Sequence, residues 1–144
     1  MAEVHLVVGV CVIVLNLAAA AVGGYSWFAD RPSIPFWYLL RAAQVSVFAQ
    51  VMLGGLLVMT GHEPADQLHY VYGLLPLLVS FLAEGARAGA AAQELAGIDV
   101  ESLPEERQQA LALAIVRREM GIMAVSCGVI LFLALRAATT SGHF

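Results

Sequence analysis

Two histidines of this chain share a local pattern, because each is followed four residues later by a glycine. The pairs are His5 with Gly9 and His69 with Gly73. Side chains four residues apart stack on one face of a helix, so each imidazole would have bare backbone one turn deeper. Imidazole is a common axial ligand of heme iron. Two such helices at matching depth could therefore hold a porphyrin between the two histidines.

The elements that must position these histidines are membrane-spanning helices. Of 144 residues, 60% are hydrophobic and 12% are charged, and the mean hydropathy is +0.82, which is unlike a soluble domain. Four stretches reach the roughly 20 apolar residues that cross a bilayer. The sequence therefore predicts an all-α, integral membrane four-helix bundle with up-down-up-down topology and a single domain. The spans are about Val4–Tyr25, Pro35–Thr60, Asp66–Arg87 and Arg117–Ala138.

The basic residues predict the orientation of this bundle. All seven are arginine, and six lie in or beside the first and third connections, whereas Arg136 lies at the other side. Because basic residues favour the cytoplasmic side, we expect both termini outside in a prokaryotic cytoplasmic membrane. His5 and His69 would then lie at the outer side, where a histidine within a span usually faces the interior or a partner. No basic face indicates a nucleic-acid partner.

The third connection is long enough to have structure of its own. Helix is expected to continue past Arg87 and to turn near Gly97. The segment Ser102-Leu103-Pro104-Glu105 matches a capping box with proline near the helix start. We therefore expect a cytoplasmic helical hairpin extension over about residues 88–116, whose second helix is capped by Ser102 and Glu105 and runs unbroken into the fourth span.

Two further residues could contribute to a heme site. Gly54 follows Gln50 by four positions on the second span, so both share a face and Gly54 could line the ring edge. The alternative is a hydrogen bond between helices at a close crossing. Arg136 could bind the propionates, since a guanidinium pairs well with carboxylates, or it could extend to lipid headgroups.

Other polar side chains have simpler interpretations. Arg41 and Glu84 fall near the cytoplasmic interface, where extension towards water is expected, and Gln44 needs a hydrogen-bond partner in an apolar setting. Cys11 and Cys127 are expected to be unpaired thiols, although a disulfide between the first and fourth spans stays open.

The second span and the start of the third resemble each half of heme A synthase. The chain reads Gln50-Val51-Met52-Leu53-Gly54-Gly55 and then Leu68-His69, similar to that family's Gln-x-x-Leu-Gly helix followed by a Leu-His helix. The preceding span begins Glu3-Val4-His5, where the family has a glutamate and a histidine ligand. The resemblance covers roughly residues 3–75 and implies a half-sized, four-helix relative with heme between His5 and His69.

The chain also departs from that family. Glu3 stands two residues before His5 instead of three, and Leu6 replaces the arginine that usually follows the histidine. Only one half is present, so the resemblance implies no second heme site within the chain and does not extend to oxygenation of a heme methyl group.

Together these patterns predict a membrane bis-histidine b-type cytochrome. It would serve electron transfer or act as the heme-carrying subunit of a larger complex, with the bilayer and heme b as partners. A quinone or another membrane redox partner, and an oligomer, could follow from that role. The predicted iron ligands are His5 and His69, and the predicted heme-binding residues around them are Gly9, Gly73, Gly54 and Arg136.

Two other functions stay open. A protein that handles metal ions could gather nitrogen and oxygen ligands at the outer surface, from His5, His62, His69, Glu63 and Asp66. A cofactor-free accessory or structural subunit would use the glycines only for helix packing. No nucleophile–base pair, phosphate loop or acid pair indicates an enzyme that acts alone. His62 and His143 are expected to be solvated.

Overall fold

The computed structural model describes residues 1–62 and 64–141 and is built from four long helices, with no strand in these ranges. Helix α1 spans Ala2–Phe28, α2 Ile34–Met59, α3 Leu68–Leu95 and α4 Glu105–Thr140. All four are long and apolar enough to cross a bilayer. The predicted all-helical, four-helix architecture is therefore confirmed, and it is compatible with a multi-pass membrane protein.

The helices form a bundle with one loose side. Helix α1 packs along both α2 and α4, and α3 packs along α4, whereas α2 and α3 touch much less. Helices α1 and α3 are therefore diagonal neighbours across the bundle. Consecutive helices alternate in direction, because contacts join the starts of α1 and α3 to the ends of α2 and α4.

The two ends of the bundle carry different side chains. We call the end with His5, Gln50 and His69 the histidine end, and the end with Arg87 and Arg117 the arginine end. The predicted hairpin extension lies beyond the arginine end, where a short 3-10 turn, Val100–Ser102, precedes α4.

Tight packing is concentrated in the arginine half. Its main buried cluster is Ala19, Phe36, Leu40, Ala83, Met120, Met123, Ala124 and Cys127, and a smaller cluster above it is Val12, Val47 and Ile130. By contrast, no described residue in the ranges 1–11, 48–59, 68–75 and 131–139 is fully buried. The bundle is therefore close-packed towards the arginine end and loosely packed towards the histidine end.

Glycines allow the close packing of the arginine half. A Cβ on Gly23 would lie 2.4 Å from the ring of Phe36, and one on Gly121 would lie 2.8 Å from the ring of Trp27. Both contacts are shorter than packed carbon atoms tolerate. The aromatic rings can therefore lie against helix backbone only because these positions have no side chain.

The start of α4 differs from the prediction. Helix α4 does run unbroken from Glu105 to Thr140, but Pro104 is its N-cap and no side chain caps it. The hydroxyl of Ser102 donates to the carbonyl of Asp99 at 2.7 Å, within the preceding 3-10 turn. The predicted capping role of Ser102 is therefore wrong, because its hydroxyl is already engaged by the turn that leads into the helix.

Candidate functional site

His5 and His69 lie next to each other at the histidine end. His5 is in the first turn of α1 and His69 in the first turn of α3. Their ring centroids are 6.2 Å apart, and the ring planes meet at 62°. The oxygen of Asp66 supports the start of α3 by accepting from the backbone N–H of Leu68 at 2.9 Å. Two residues 64 positions apart (69 − 5) are thus joined at one level of the bundle.

The orientation of His69 is set by the backbone of α4. Its Nδ1 lies 2.9 Å from the carbonyl oxygen of Ala137. A carbonyl can only accept, so Nδ1 must carry the proton and donate it. In the neutral ring, Nε2 then has a free lone pair, and Nε2 has no hydrogen-bond partner in the described part of the chain. Metal-binding histidines are commonly held by a bond of this kind.

His5 is held by a side chain instead of by backbone. The Nε2 atoms of His5 and Gln50 lie 3.1 Å apart, so the amide of Gln50 donates to the ring. Nδ1 of His5 and Oε1 of Gln50 are both buried, and neither has a hydrogen-bond partner among the described residues. Turning the amide over would exchange these roles but still leave one atom of each group unpaired. Such atoms are uncommon in folded proteins, where buried polar groups are normally satisfied.

The glycines predicted to admit a flat ring lie in two kinds of surroundings. A Cβ on Gly9 would lie 3.0 Å from the amide nitrogen of Gln50, and one on Gly54 would lie 3.3 Å from Cε1 of His5. These two glycines therefore make room for the imidazole and for the amide that holds it. A Cβ on Gly73 would meet nothing within 4 Å, so open space lies beside α3, one turn below His69.

Arg136 lies at the same end, on α4. Its guanidinium lies 5.6 Å from the centre of the Tyr72 ring and donates to the hydroxyl of Thr139 at 3.2 Å. Both are weak, exposed contacts. Among the described residues no carboxylate pairs with Arg136. This arginine is therefore available to an anionic group near the two histidines.

The remaining histidines are not brought into this site. His62 is exposed and its Nδ1 lies 3.2 Å from the hydroxyl of Thr60. His143 and Glu63 lie outside the described residues. Within the described part of the chain, no group of three or more histidine, cysteine, aspartate or glutamate side chains could hold a metal ion. Cys11 is exposed and Cys127 is buried, and both are free thiols.

The arginine end contains a polar network that the sequence did not predict as a unit. Glu84 accepts from Arg41, from Gln44 at 2.8 Å and from Arg87 at 2.9 Å. Arg87 also pairs with Glu119 at 3.3 Å. The network therefore joins α2, α3 and α4. Gln44 has found the partner it was expected to need, and the positions of Arg41 and Glu84 on neighbouring helices were the signal for their pairing.

No protein-family model, curated protein or solved structure matches this chain. The site contains a pair of imidazoles from diagonal helices. In one of them, His69, a backbone carbonyl binds Nδ1. An open space lies beside one of them and an unpaired guanidinium lies at the same end.

Proposed function

We propose that this protein is a membrane b-type cytochrome that holds one heme b between His5 and His69. The observation that carries the proposal is the spacing of the two rings, whose centroids are 6.2 Å apart. An imidazole nitrogen binds a metal at about 2 Å, so two axial imidazoles have their ring centres roughly 6 Å apart. Helices α1 and α3 would thus supply the two ligands from opposite sides.

The bond between His69 and Ala137 supports the same proposal. The carbonyl keeps the proton of His69 on Nδ1, so Nε2 is left unprotonated. The same bond fixes the orientation of the ring. His5 differs, because its Nε2 accepts from the Gln50 amide, so this amide would have to turn aside before Nε2 could bind iron; Gly9 and Gly54 make room for the ring and the amide. His69 would therefore be oriented before any cofactor arrives.

Loose packing at the histidine end supports a bound group of substantial size. No described residue in the ranges 1–11, 48–59, 68–75 and 131–139 is fully buried, and the Cβ position of Gly73 is open. Protein interiors are normally close-packed, so a bundle that is tight at one end and loose at the other has room for a further component. Arg136 would bind a propionate of that component through its unpaired guanidinium.

Heme iron with two histidine ligands supplies one-electron chemistry, by alternating between its ferric and ferrous forms. The part of this chain would be to hold the iron through His5 and His69. The role is then electron transfer, alone or as the heme-carrying subunit of a larger complex. A quinone or another membrane redox partner fits this role.

Absorption spectra of the purified protein, oxidised and reduced, test the proposal. Two histidine ligands should give a low-spin, six-coordinate spectrum with sharp reduced bands. His69→Ala and His5→Ala should each lose the heme or convert it to a high-spin form. His62→Ala is the matched control, because His62 is exposed and outside the site, and its spectrum should be unchanged.

Two outcomes would contradict the proposal. Normal heme binding in both the His5→Ala and His69→Ala proteins would exclude these residues as ligands. A folded, colourless protein from heme-replete cells would favour the cofactor-free accessory subunit. Metal analysis of such a protein would then show whether it handles a metal ion instead.

The orientation in the membrane is part of the same proposal. Both termini and the histidine end would lie outside a prokaryotic cytoplasmic membrane, because the arginines are concentrated at the opposite end. Reporter fusions should give a cytoplasmic signal at Gly97 and an external signal at the C-terminus. The reverse pattern would place the histidines at the cytoplasmic side.

A further inference from the structure

An open cavity of about 630 Å³ lies along α4 at the arginine end. Its α4 residues lie three, four, seven, eight and eleven positions after Ala114, so they form one continuous face of the helix. The side wall is the ring of Trp27, which lies against the backbone of α4 because Gly121 has no side chain. The lining includes Trp27, Arg117, Arg118, Gly121, Ile122 and Val125.

The lining changes from charged to apolar along the helix axis. Arg117 and Arg118 lie at the outer part of the cavity, whereas Ile122 and Val125 lie one to two turns further into the apolar span. Trp27 stands beside this boundary, and tryptophan is enriched where a membrane meets water. The cavity therefore has a charged mouth and an apolar floor that leads towards the centre of the bilayer.

A second cavity of about 280 Å³ lies on the other side of Arg117. It is lined in part by Asp30, Arg31 and Ala114, and Ala114 and Arg117 belong to both cavities. Arg31 is exposed and makes no ion pair among the described residues. The two cavities thus meet at Arg117, and Arg31 lines the second cavity together with it.

The local charge is positive. Arg31, Arg117 and Arg118 face two carboxylates, since Arg117 pairs with Asp30 and Arg118 with Glu94. In the first pair the side chains are 57% and 61% exposed, and in the second 46% and 36%. Such exposed pairs contribute little to stability, so an anion could share these guanidiniums at small cost.

We propose that this surface binds an anionic phospholipid. Its phosphate would lie between Arg31 and Arg117, and one acyl chain would lie along the face formed by Gly121, Ile122 and Val125. The order of charged and apolar groups in the two cavities matches the order in a phospholipid. Basic pockets beside spanning helices are suited to anionic headgroups, and the net positive charge favours an anionic lipid over a zwitterionic one.

Native mass spectrometry of the full chain tests this proposal. The protein would be released from micelles that contain phosphatidylglycerol or phosphatidylcholine with the same acyl chains. We expect phosphatidylglycerol to be retained preferentially. With about fivefold in affinity for each arginine near the headgroup, Arg31→Gln/Arg117→Gln should weaken its binding roughly 25-fold. Arg107→Gln removes one arginine charge outside both cavities and should change little.

A second variant separates the apolar part of the site from its charge. Ala114→Trp keeps every charge but fills the space where the two cavities meet, and it should also reduce retention of phosphatidylglycerol. Millimolar inorganic phosphate should not displace the lipid. Equal retention of the two lipids, unchanged binding in the double variant, or displacement by phosphate alone would each overturn the proposal. Circular dichroism confirms that each variant is folded before it is scored.

Discussion

The polar side chains at the two ends of this bundle differ in how completely they are hydrogen-bonded. At the arginine end, Glu84 accepts from three side chains, and Arg87 bridges it to Glu119. At the histidine end, Nδ1 of His5 and Oε1 of Gln50 are buried without a partner among the described residues. Hydrogen bonding between side chains is therefore extensive at the arginine end and incomplete at the histidine end.

Packing follows the same division. The main buried cluster, around Phe36 and Met120, lies in the arginine half, whereas no described residue in the ranges 1–11, 48–59, 68–75 and 131–139 is fully buried. An unpaired buried polar group costs roughly 1–3 kcal/mol. The close-packed half therefore supplies stability that lets the histidine half keep unpaired atoms and open space.

Removing the central carboxylate of the network should have the largest effect on folding. Glu84→Ala leaves Arg41, Gln44 and Arg87 without their shared acceptor and should lower the free energy of unfolding by roughly 2–3 kcal/mol. Glu84→Gln keeps an acceptor oxygen and should lose less. Reversible unfolding in mixed micelles would measure both. Equal stability of Glu84→Ala and the parent protein would show that the network does not hold the helices together.

Replacing glycine by alanine should change the free energy of unfolding in opposite directions at two positions. Gly23→Ala would place Cβ 2.4 Å from the Phe36 ring, and such overpacking should destabilise the protein by about 1–3 kcal/mol. Gly73→Ala meets nothing within 4 Å and should stabilise α3 by up to about 1 kcal/mol, because alanine is the better helix former. Thermal unfolding of the two variants compares the ends directly.

The larger change Gly73→Leu separates folding from heme binding. It should leave the helix intact but fill the space beside His69, so the protein should fold and lose its heme. Gly55→Leu is the matched control, because its Cβ also meets nothing within 4 Å and it lies outside the predicted ligand set. Full heme occupancy in Gly73→Leu would show that the open space beside α3 is not where the ring lies.

The smallest effect on folding is expected at Gln50. Gln50→Leu removes one hydrogen bond to His5 but also removes a buried, unpaired oxygen, so the net change should be less than about 1 kcal/mol. Heme retention should fall more than stability does, because His5 loses the group that orients it. A loss of stability as large as that of Glu84→Ala would erase the distinction between the two ends.

The sequence was sufficient for the helices and for the meeting of His5 and His69. Long apolar runs determine the spans, and alternating direction brings the starts of α1 and α3 to one end. The sequence was not sufficient to predict which groups form hydrogen bonds with these histidines. Every residue has a backbone carbonyl, so nothing distinguishes that of Ala137, and the rotation of α2 that turns Gln50 towards His5 depends on packing along the whole helix.

The capping box failed for a related reason. The pattern Ser102 to Glu105 is local, but the hydroxyl had a nearer acceptor in the turn that precedes α4. The network around Glu84 was missed because its bonds to α2 join residues 43 and 40 positions apart in sequence, on different helices. Local rules describe a helix and its ends, whereas the pairing of side chains between helices is set by how those helices are rotated against each other.

Because α4 is unbroken, it fixes the distance between the two ends of the bundle. Arg117 and Ala137 are 20 positions apart (137 − 117) on one continuous helix. At about 1.5 Å per residue they are separated by roughly 30 Å, which is about the thickness of the hydrocarbon core. In a bilayer thinner than this, an unbroken α4 would have to tilt, and the carbonyl that holds His69 would tilt with it.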